Sequence, residues 1–382
     1  PGTGPGQCGR GRKLTPEDPT LADVFLHRIP ASPDLDLFRP DLTAPLGALT
    51  GRLSLESGRR KSSWALKVEV GPRGRRPRVD PGWARSVADA VAGPGARGAY
   101  CFDTLSITTR GLEVVESHLD TARDKGYGAD VNGPPFVVAD GPDQGDPVRV
   151  TLPGTGLEVG LAAGAAGADG LAVLNAIRPH PHLGFQGVVA SLGLGLVDRA
   201  GKIALHEDIR PSVDTPLCAG CGSCLDVCIF DAIVITAGRA HIDHAKCTGC
   251  GECMSVCFMA GIAPEDQAGV PRFQGRVAEA AWCARNAVGE GEPGRAGYFN
   301  FLVGLGERGS GARARKARQP GDIGILASTD PVGCDQAAWD LVTARIAGPL
   351  HARVGYRQDP GVLLDRAGEL GLGTREYRLV EV

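Results

Sequence analysis

CAGCGSCLDVC (218–228) returns as CTGCGECMSVC (247–257), offset by 29 positions. Each copy has three cysteines separated by two residues and a fourth after three more. A cubane cluster needs four thiolates, one at each iron corner, and in paired runs of this spacing the fourth cysteine reaches the other cluster. The expected ligand sets are therefore crossed. Cys218, Cys221, Cys224 and Cys257 form one set, and Cys247, Cys250, Cys253 and Cys228 form the other. Gly220, Gly222, Gly249 and Gly251 leave room for backbone N–H groups to approach the sulfurs. Tetrahedral zinc also uses Cys-x2-Cys pairs, but it requires neither the third cysteine nor the fourth, twice over. The expected cofactors are two 4Fe–4S clusters. Ile229 and Phe258 stand where proline usually follows the fourth cysteine; that proline directs the chain and ligates nothing. Residues 232–235 and 241–242 suit a small hairpin under the clusters, with Ile229, Ile233, Val256 and Phe258 as an apolar shell.

Away from the cysteines the chain alternates between strand-like and helix-like stretches. SSWALKVEV (62–70) reads as a strand, and Asp80-Pro81 opens a helix carrying Trp83, Val87, Ala90 and Val91. A short apolar run follows at 99–102, then a helical stripe of Leu112, Val115, Leu119 and Ala122 stopped by Gly126. Residues 136–138, 171–174, 298–303 and 323–326 read as strands, and Val277, Ala280, Ala281, Ala284 and Val288 as a small-residue helix face. Asp330-Pro331 repeats the helix start, with Ala337, Ala338, Leu341, Val342 and Ile346 on one face. Such alternation predicts an α/β fold with a largely parallel sheet. Its expected organisation is a disordered tail over 1–22, an α/β part over 23–210, an insert over 211–265 and the rest of the α/β domain over 266–382. The insert is expected to be an α+β, bacterial-ferredoxin-like two-cluster module.

Composition limits the partners. The 382 residues carry a net charge of −3 with both signs interspersed, which excludes the concentrated basic field that nucleic acid requires. No run of 18 apolar residues occurs, so no membrane span is expected, and residues 1–19 contain no apolar segment of a signal peptide. Eight of the 12 cysteines cluster at regular spacing, which indicates metal rather than disulfides and a reducing compartment, most simply the cytoplasm. Cys8 lies in the tail and reads as incidental; Cys101, Cys283 and Cys334 read as buried small hydrophobes.

Other polar groups invite a second site. His180, His182 and His206 suggest metal or proton transfer, against a reading as hydrogen-bonded structural histidines. Asp322, Asp330 and Asp335, with Asp103 and Asp140 at the ends of apolar runs, suggest a hard cation, although Asp330 has a sufficient task as a helix cap. Lys202 and His206 precede the cysteines and could lie beside them. Gly304, Gly306 and Gly309 match a dinucleotide fingerprint without the helix that should follow, so a loop is expected. The basic stretch 313–318 is read as solvated, or as a docking patch for an acidic redox partner.

Taken in order, these segments resemble the domain-of-unknown-function 362 family of iron–sulfur proteins. The resemblance runs through ALKVEV (65–70), Asp103-Thr104, Arg110 and VVADG (137–141). It continues through His182, GFQG (184–187), Leu192-Gly193 and GKIALH (201–206), then Tyr298-Phe299-Asn300 and DIGILASTDPVGCDQA (322–337). It implies an embedded ferredoxin module and a redox role, with no settled reaction. Family members typically read Lys-Gly-His, Gly-Phe-Gly-Gly and Lys-Asn. Here His180-Pro181-His182, Gln186 and Ala190-Ser191 stand at those places, and a family Cys-Asp-Cys is missing from 304–320. The function expected is electron transfer in or for an oxidoreductase, with a partner protein as donor or acceptor. The rivals are a structural or regulatory iron–sulfur protein sensing oxygen or iron, and a reductase working in the α/β cleft.

Overall fold

A computed structural model describes residues 21–29, 41–55, 63–92, 98–131, 133–288, 292–305, 321–350 and 358–382. Cys8, Gly306, Gly309 and the basic stretch 313–318 lie outside them. The chain begins with β1 (Ala22–Arg28), α1 (Thr43–Arg52), β2 (Trp64–Lys67), α2 (Pro81–Ala92), β3 (Ala99–Asp103), α3 (Val115–Asp124) and β4 (Phe136–Val138). The hairpin β5 (Val148–Thr151)–β6 (Glu158–Leu161), the short α4 (Ala163–Ala166) and β7 (Gly170–Ala176) follow. Next come β8 (Arg178–His180), β9 (Gly184–Gln186), α5 (Val188–Gly195), α6 (Arg199–Leu205) and β10 (Pro211–Val213). The cysteine segment holds α7 (Ser223–Val227), β11 (Ile233–Thr236), β12 (Arg239–Ile242), α8 (Glu252–Val256) and β13 (Ile262–Pro264). α9 (Gly269–Ala287), β14 (Ala296–Leu302), β15 (Gly324–Ser328), α10 (Pro331–Ile346), a helix at Gly361–Glu369 and β16 (Tyr377–Glu381) complete the chain.

The main sheet has eight strands in the order β16-β1-β15-β14-β7-β2-β3-β4. Only β15 runs against the others, pairing antiparallel with both β1 and β14. The fold is thus α/β with a large, mostly parallel sheet. Its central strands are buried on both faces, which is why they read as continuous apolar runs rather than alternating ones. Along β7, Leu171 and Val173 enter one core while Ala172 and Leu174 enter the other. α5, α9 and α10 cover the first face, and α1 and α2 cover the second, where Trp83 stacks on Phe301 with centroids 5.0 Å apart.

The helix starts follow from local chemistry. Asp330 caps α10 by accepting the Gly333 N–H at 2.8 Å, with Pro331 in the first turn, and it also accepts the Thr374 N–H at 2.9 Å. Two expectations need correction. Ala90 is exposed, and α2 buries Ala84 and Ala88 instead; Leu112 precedes α3, which starts at Val115. Residues 211–264 leave the layered body and return through β10 and β13, which pair antiparallel from Pro211↔Pro264 to Val213↔Ile262. This segment has a small core of its own, made of Cys224, Ile233, Ala240, Cys253 and Ile262.

Candidate functional site

The sequence repeat is also a repeat of backbone geometry. The Cys218 N–H donates to the Asp214 carbonyl at 3.0 Å, and the Cys247 N–H to the Asp243 carbonyl at 2.9 Å. α7 and α8 follow the two loops, and Asp231 and Ala260, each with φ near +50°, turn the chain after the fourth cysteines. β11 and β12 pair from Ile233↔Ile242 to Thr236↔Arg239, forming the hairpin expected between the halves. Of the expected apolar shell, Ile233 and Val256 are buried, but Phe258 is 46% exposed. It follows the second run at an outer turn, where nothing covers it fully.

The thiols group across the repeat. A cleft of about 370 Å³, its open mouth included, is lined by Cys218, Cys221, Cys224 and Cys257, so the first triplet meets the last cysteine of the second run. Cys257 and Cys221 act on the Cys224 thiol, and Cys228 acts on Cys247, Cys250 and Cys253, although Cys224 of the other set also acts on Cys253. Amide N–H groups point at sulfur: Ala240 to Cys218 Sγ and Ala232 to Cys228 Sγ, both at 3.4 Å. The Ser223 N–H and hydroxyl lower the exposed Cys221 thiol, while burial pushes Cys250 up to about 12 and Cys253 well above its ordinary value. Buried thiols of this kind stay protonated unless positive charge stands among them. Among the described residues, no group of three or more His, Cys, Asp or Glu side chains is arranged to hold a metal ion. The first thiol set surrounds a cleft instead of converging on a point.

A histidine stack backs the second loop. The His182 ring centroid lies 6.1 Å from that of His180 and 6.3 Å from that of His206, and the Phe273 ring packs on His182 and His206 at 5.7 and 4.5 Å. His180 Nδ1 accepts the N–H groups of His182 and Leu183, both at 3.2 Å, and His206 Nδ1–H donates to the Lys202 carbonyl at 2.7 Å. Neither ring nitrogen of His182 makes a well-formed hydrogen bond; the Gly249 backbone beside it only weakly offsets burial. Burial lowers all three, His182 to about 3, His206 to about 4 and His180 well below its usual value, so the stack is neutral. Gly251, at φ +77°, lies so close that a Cβ there would stand 2.2 Å from His182 Nε2. A Cβ on Gly249, at φ +76°, would stand 2.4 Å from the His206 carbonyl. These contacts join three separate elements, so spacing along the chain could not reveal them.

The aspartates do not assemble. Asp322 accepts the Gly304 N–H at 2.8 Å, and Asp335 accepts those of Val188 and Val189 at 2.7 and 3.0 Å and the Asn300 amide at 2.7 Å. Burial raises Asp335 to about 6. Asp140 accepts from the Leu105 and Arg199 amides, at 2.8 and 2.9 Å. Asp103 binds Lys67 at 2.9 Å and the Val70 N–H at 3.0 Å; burial works to raise it, but Lys67 and His118 hold it well below the usual carboxylate range. Lys202 likewise turns away from the cysteines. Its ammonium binds Thr104 Oγ1 at 2.6 Å and the Leu105 carbonyl at 2.7 Å, and burial lowers it to about 8. Several arginines, by contrast, bind the cysteine segment, Arg110 and Arg210 from outside it and Arg239 from β12 within it. Arg110 donates to the Cys228 carbonyl at 2.9 Å, Arg239 to the Cys218 carbonyl, and Arg210 to the His244 carbonyl at 3.0 Å. Arg199 lies 5.4 Å over the Phe230 ring. Cys101, Cys283 and Cys334 are buried in the α/β body, away from these loops.

A family model described as "Domain of unknown function (DUF362)" matches residues 65–340. No curated protein matches. Among solved structures, the lactate racemase apoprotein from Thermoanaerobacterium thermosaccharolyticum aligns at 16% identity with a TM-score of 0.33. That alignment covers 50% of this chain and 43% of the racemase chain, a likeness too slight to carry an argument. No helix among the described residues is long and apolar enough to cross a membrane.

Proposed function

The chain belongs to the domain-of-unknown-function 362 family, and from that premise we propose that it is an iron–sulfur protein transferring electrons through two 4Fe–4S clusters. The observation that carries this reading is the cleft lined by Cys218, Cys221, Cys224 and Cys257, a crossed set that two independent metal loops would not need. The residues fit the group in shape and in chemistry. The thiols stand around a space, where a single ion would draw them together at about 2.3 Å from its centre. Amide N–H groups of Ala232 and Ala240 already face sulfur. Cys247, Cys250, Cys253 and Cys228 would hold the second cluster by the same logic.

When bound, the clusters would supply storage and release of single electrons. The chain's own residues do the rest. The small core of Ile233, Ala240 and Ile262 excludes water from beneath the thiols. The neutral histidine stack gives the second loop an uncharged, buried wall. Arg110 fixes the turn after Cys228 to the α/β body. Eight thiols that must remain reduced suit a reducing compartment, most simply the cytoplasm. No group in the α/β body is assigned a reaction.

The rival within iron–sulfur chemistry is a structural or sensing role. Voltammetry on the anaerobic protein separates the two. Electron transfer requires both clusters to cycle repeatedly without loss of iron, and iron loss on the first reduction would leave only the rival.

A further inference from the structure

We propose that the mouth of the first cysteine cleft is the docking surface for a small basic protein that carries one electron at a time; this rests on the cluster reading above. Ile235, Phe258 and Met259 line the cleft and are 37%, 46% and 41% exposed. Leu217 is 44% exposed and packs against Gly261, another lining residue. Six of the ten large hydrophobics exposed among the described residues lie between Leu217 and Met259, a concentration that marks an interaction surface where scattered residues would not.

Charge selects the occupant. Residues 211–264 contain Asp214, Asp226, Asp231, Asp243 and Glu252 against Arg239 and Lys246. The Arg239 guanidinium donates to the Cys218 carbonyl and keeps its charge, so the balance of the segment is five acidic side chains against two basic ones. Asp226 and Asp214 belong to the first cysteine loop and its approach: the charge of Asp226 acts on the Cys221 thiol, and the backbone carbonyl of Asp214 receives the N–H groups of Leu217 and Cys218. Both aspartates are exposed. An apolar centre within an acidic rim complements a carrier whose apolar face is ringed by lysine or arginine. A second copy of this chain on a twofold axis would set the same acidic rim against itself, which is unfavourable.

Mitochondrial cytochrome c, a basic one-electron carrier, serves as the probe against the full-length anaerobic protein. Hydrogen exchange should slow over 217–236 and 257–261 on its addition, and the protection should fade at high salt. Asp214→Lys with Asp226→Lys should slow association by about tenfold or more, while Glu116→Lys on α3 should change it by less than about twofold. Met259→Asp should remove the protection. Should that substitution also release iron, the charge reversals carry the test, since they alter no apolar contact. Protection elsewhere, equal binding of an acidic flavodoxin, or protection that grows with the protein's own concentration would overturn the proposal. Iron and sulfide measured on the same samples keep the two readings apart. Docking without clusters refutes the electron-transfer reading, and loaded clusters without docking refute this one.

Discussion

The two cysteine loops share a sequence pattern and a backbone, yet stand in opposite surroundings. The first opens to solvent, with Cys221 exposed and Phe258 and Met259 at its rim. The second is pressed against the α/β body, where His182 and His206 leave Gly251 and Gly249 no space for a side chain. The repeat gives two equivalent loops, and packing makes one an outer face and the other an inner one. On the cluster reading proposed above, ligand spacing would specify the cofactor and the surroundings of each loop its use.

The largest expected effect tests the crossing itself. Cys228→Ala should remove the iron held with Cys247, Cys250 and Cys253, halving the content from about eight to about four irons per chain. Site-resolved Mössbauer or paramagnetic spectra showing damage only at the Cys218–Cys224 loop would break the comparison, because each half would then be independent.

Acid should act on the inner loop first. Folded His182 and His206 titrate near about 3 and about 4, against an ordinary value of 6.5. Their depressed values mean that the unfolded chain binds more protons below 6.5, so stability present at neutral pH is lost as pH falls toward about 4. The Lys202 charge disfavours protonation of His206 while its carbonyl, accepting from Nδ1–H, favours it more, and His182 and His206 in turn oppose protonation of His180. The loss should be on the order of several kcal/mol. Chemical denaturation from pH 7 to pH 4 should show it, and His206→Gln, whose amide can still donate to the Lys202 carbonyl, should flatten the slope.

Some of this was legible in the sequence. The 29-residue offset exposed the repeat, and Asp330-Pro331 marked a real capped helix, because caps and repeats are local. The α/β class followed from alternation. The antiparallel β15 did not, since strand direction is decided by distant pairing with β1 and β14. β16 was missed because its residues are only partly buried and show no apolar run. The aspartates were over-read. Asp322 and Asp140 lie just outside strands and Asp335 in the second turn of α10, but each is taken up accepting backbone N–H groups. The three histidines stood out in the sequence, but their packing with Phe273 did not, because His182, His206 and Phe273 are distant in sequence and meet only on folding.

A smaller effect sharpens the contrast at the inner loop. Gly251→Ala must adopt a left-handed backbone and meet His182 Nε2, which should cost about 2 kcal/mol or more. Adding His182→Ala should recover the steric part and leave roughly 1–2 kcal/mol of backbone strain. Additive losses in the double-mutant cycle would show that the two residues do not touch. The smallest effect is at the tether: Arg110→Ala removes the bond to the Cys228 carbonyl and should cost about 1 kcal/mol, read by denaturation of the anaerobic protein.

The most direct measurement of the central claim is the metal and sulfide content of protein prepared without oxygen. The account predicts about eight irons and about eight acid-labile sulfides per chain. Stoichiometric zinc with no labile sulfide would contradict it.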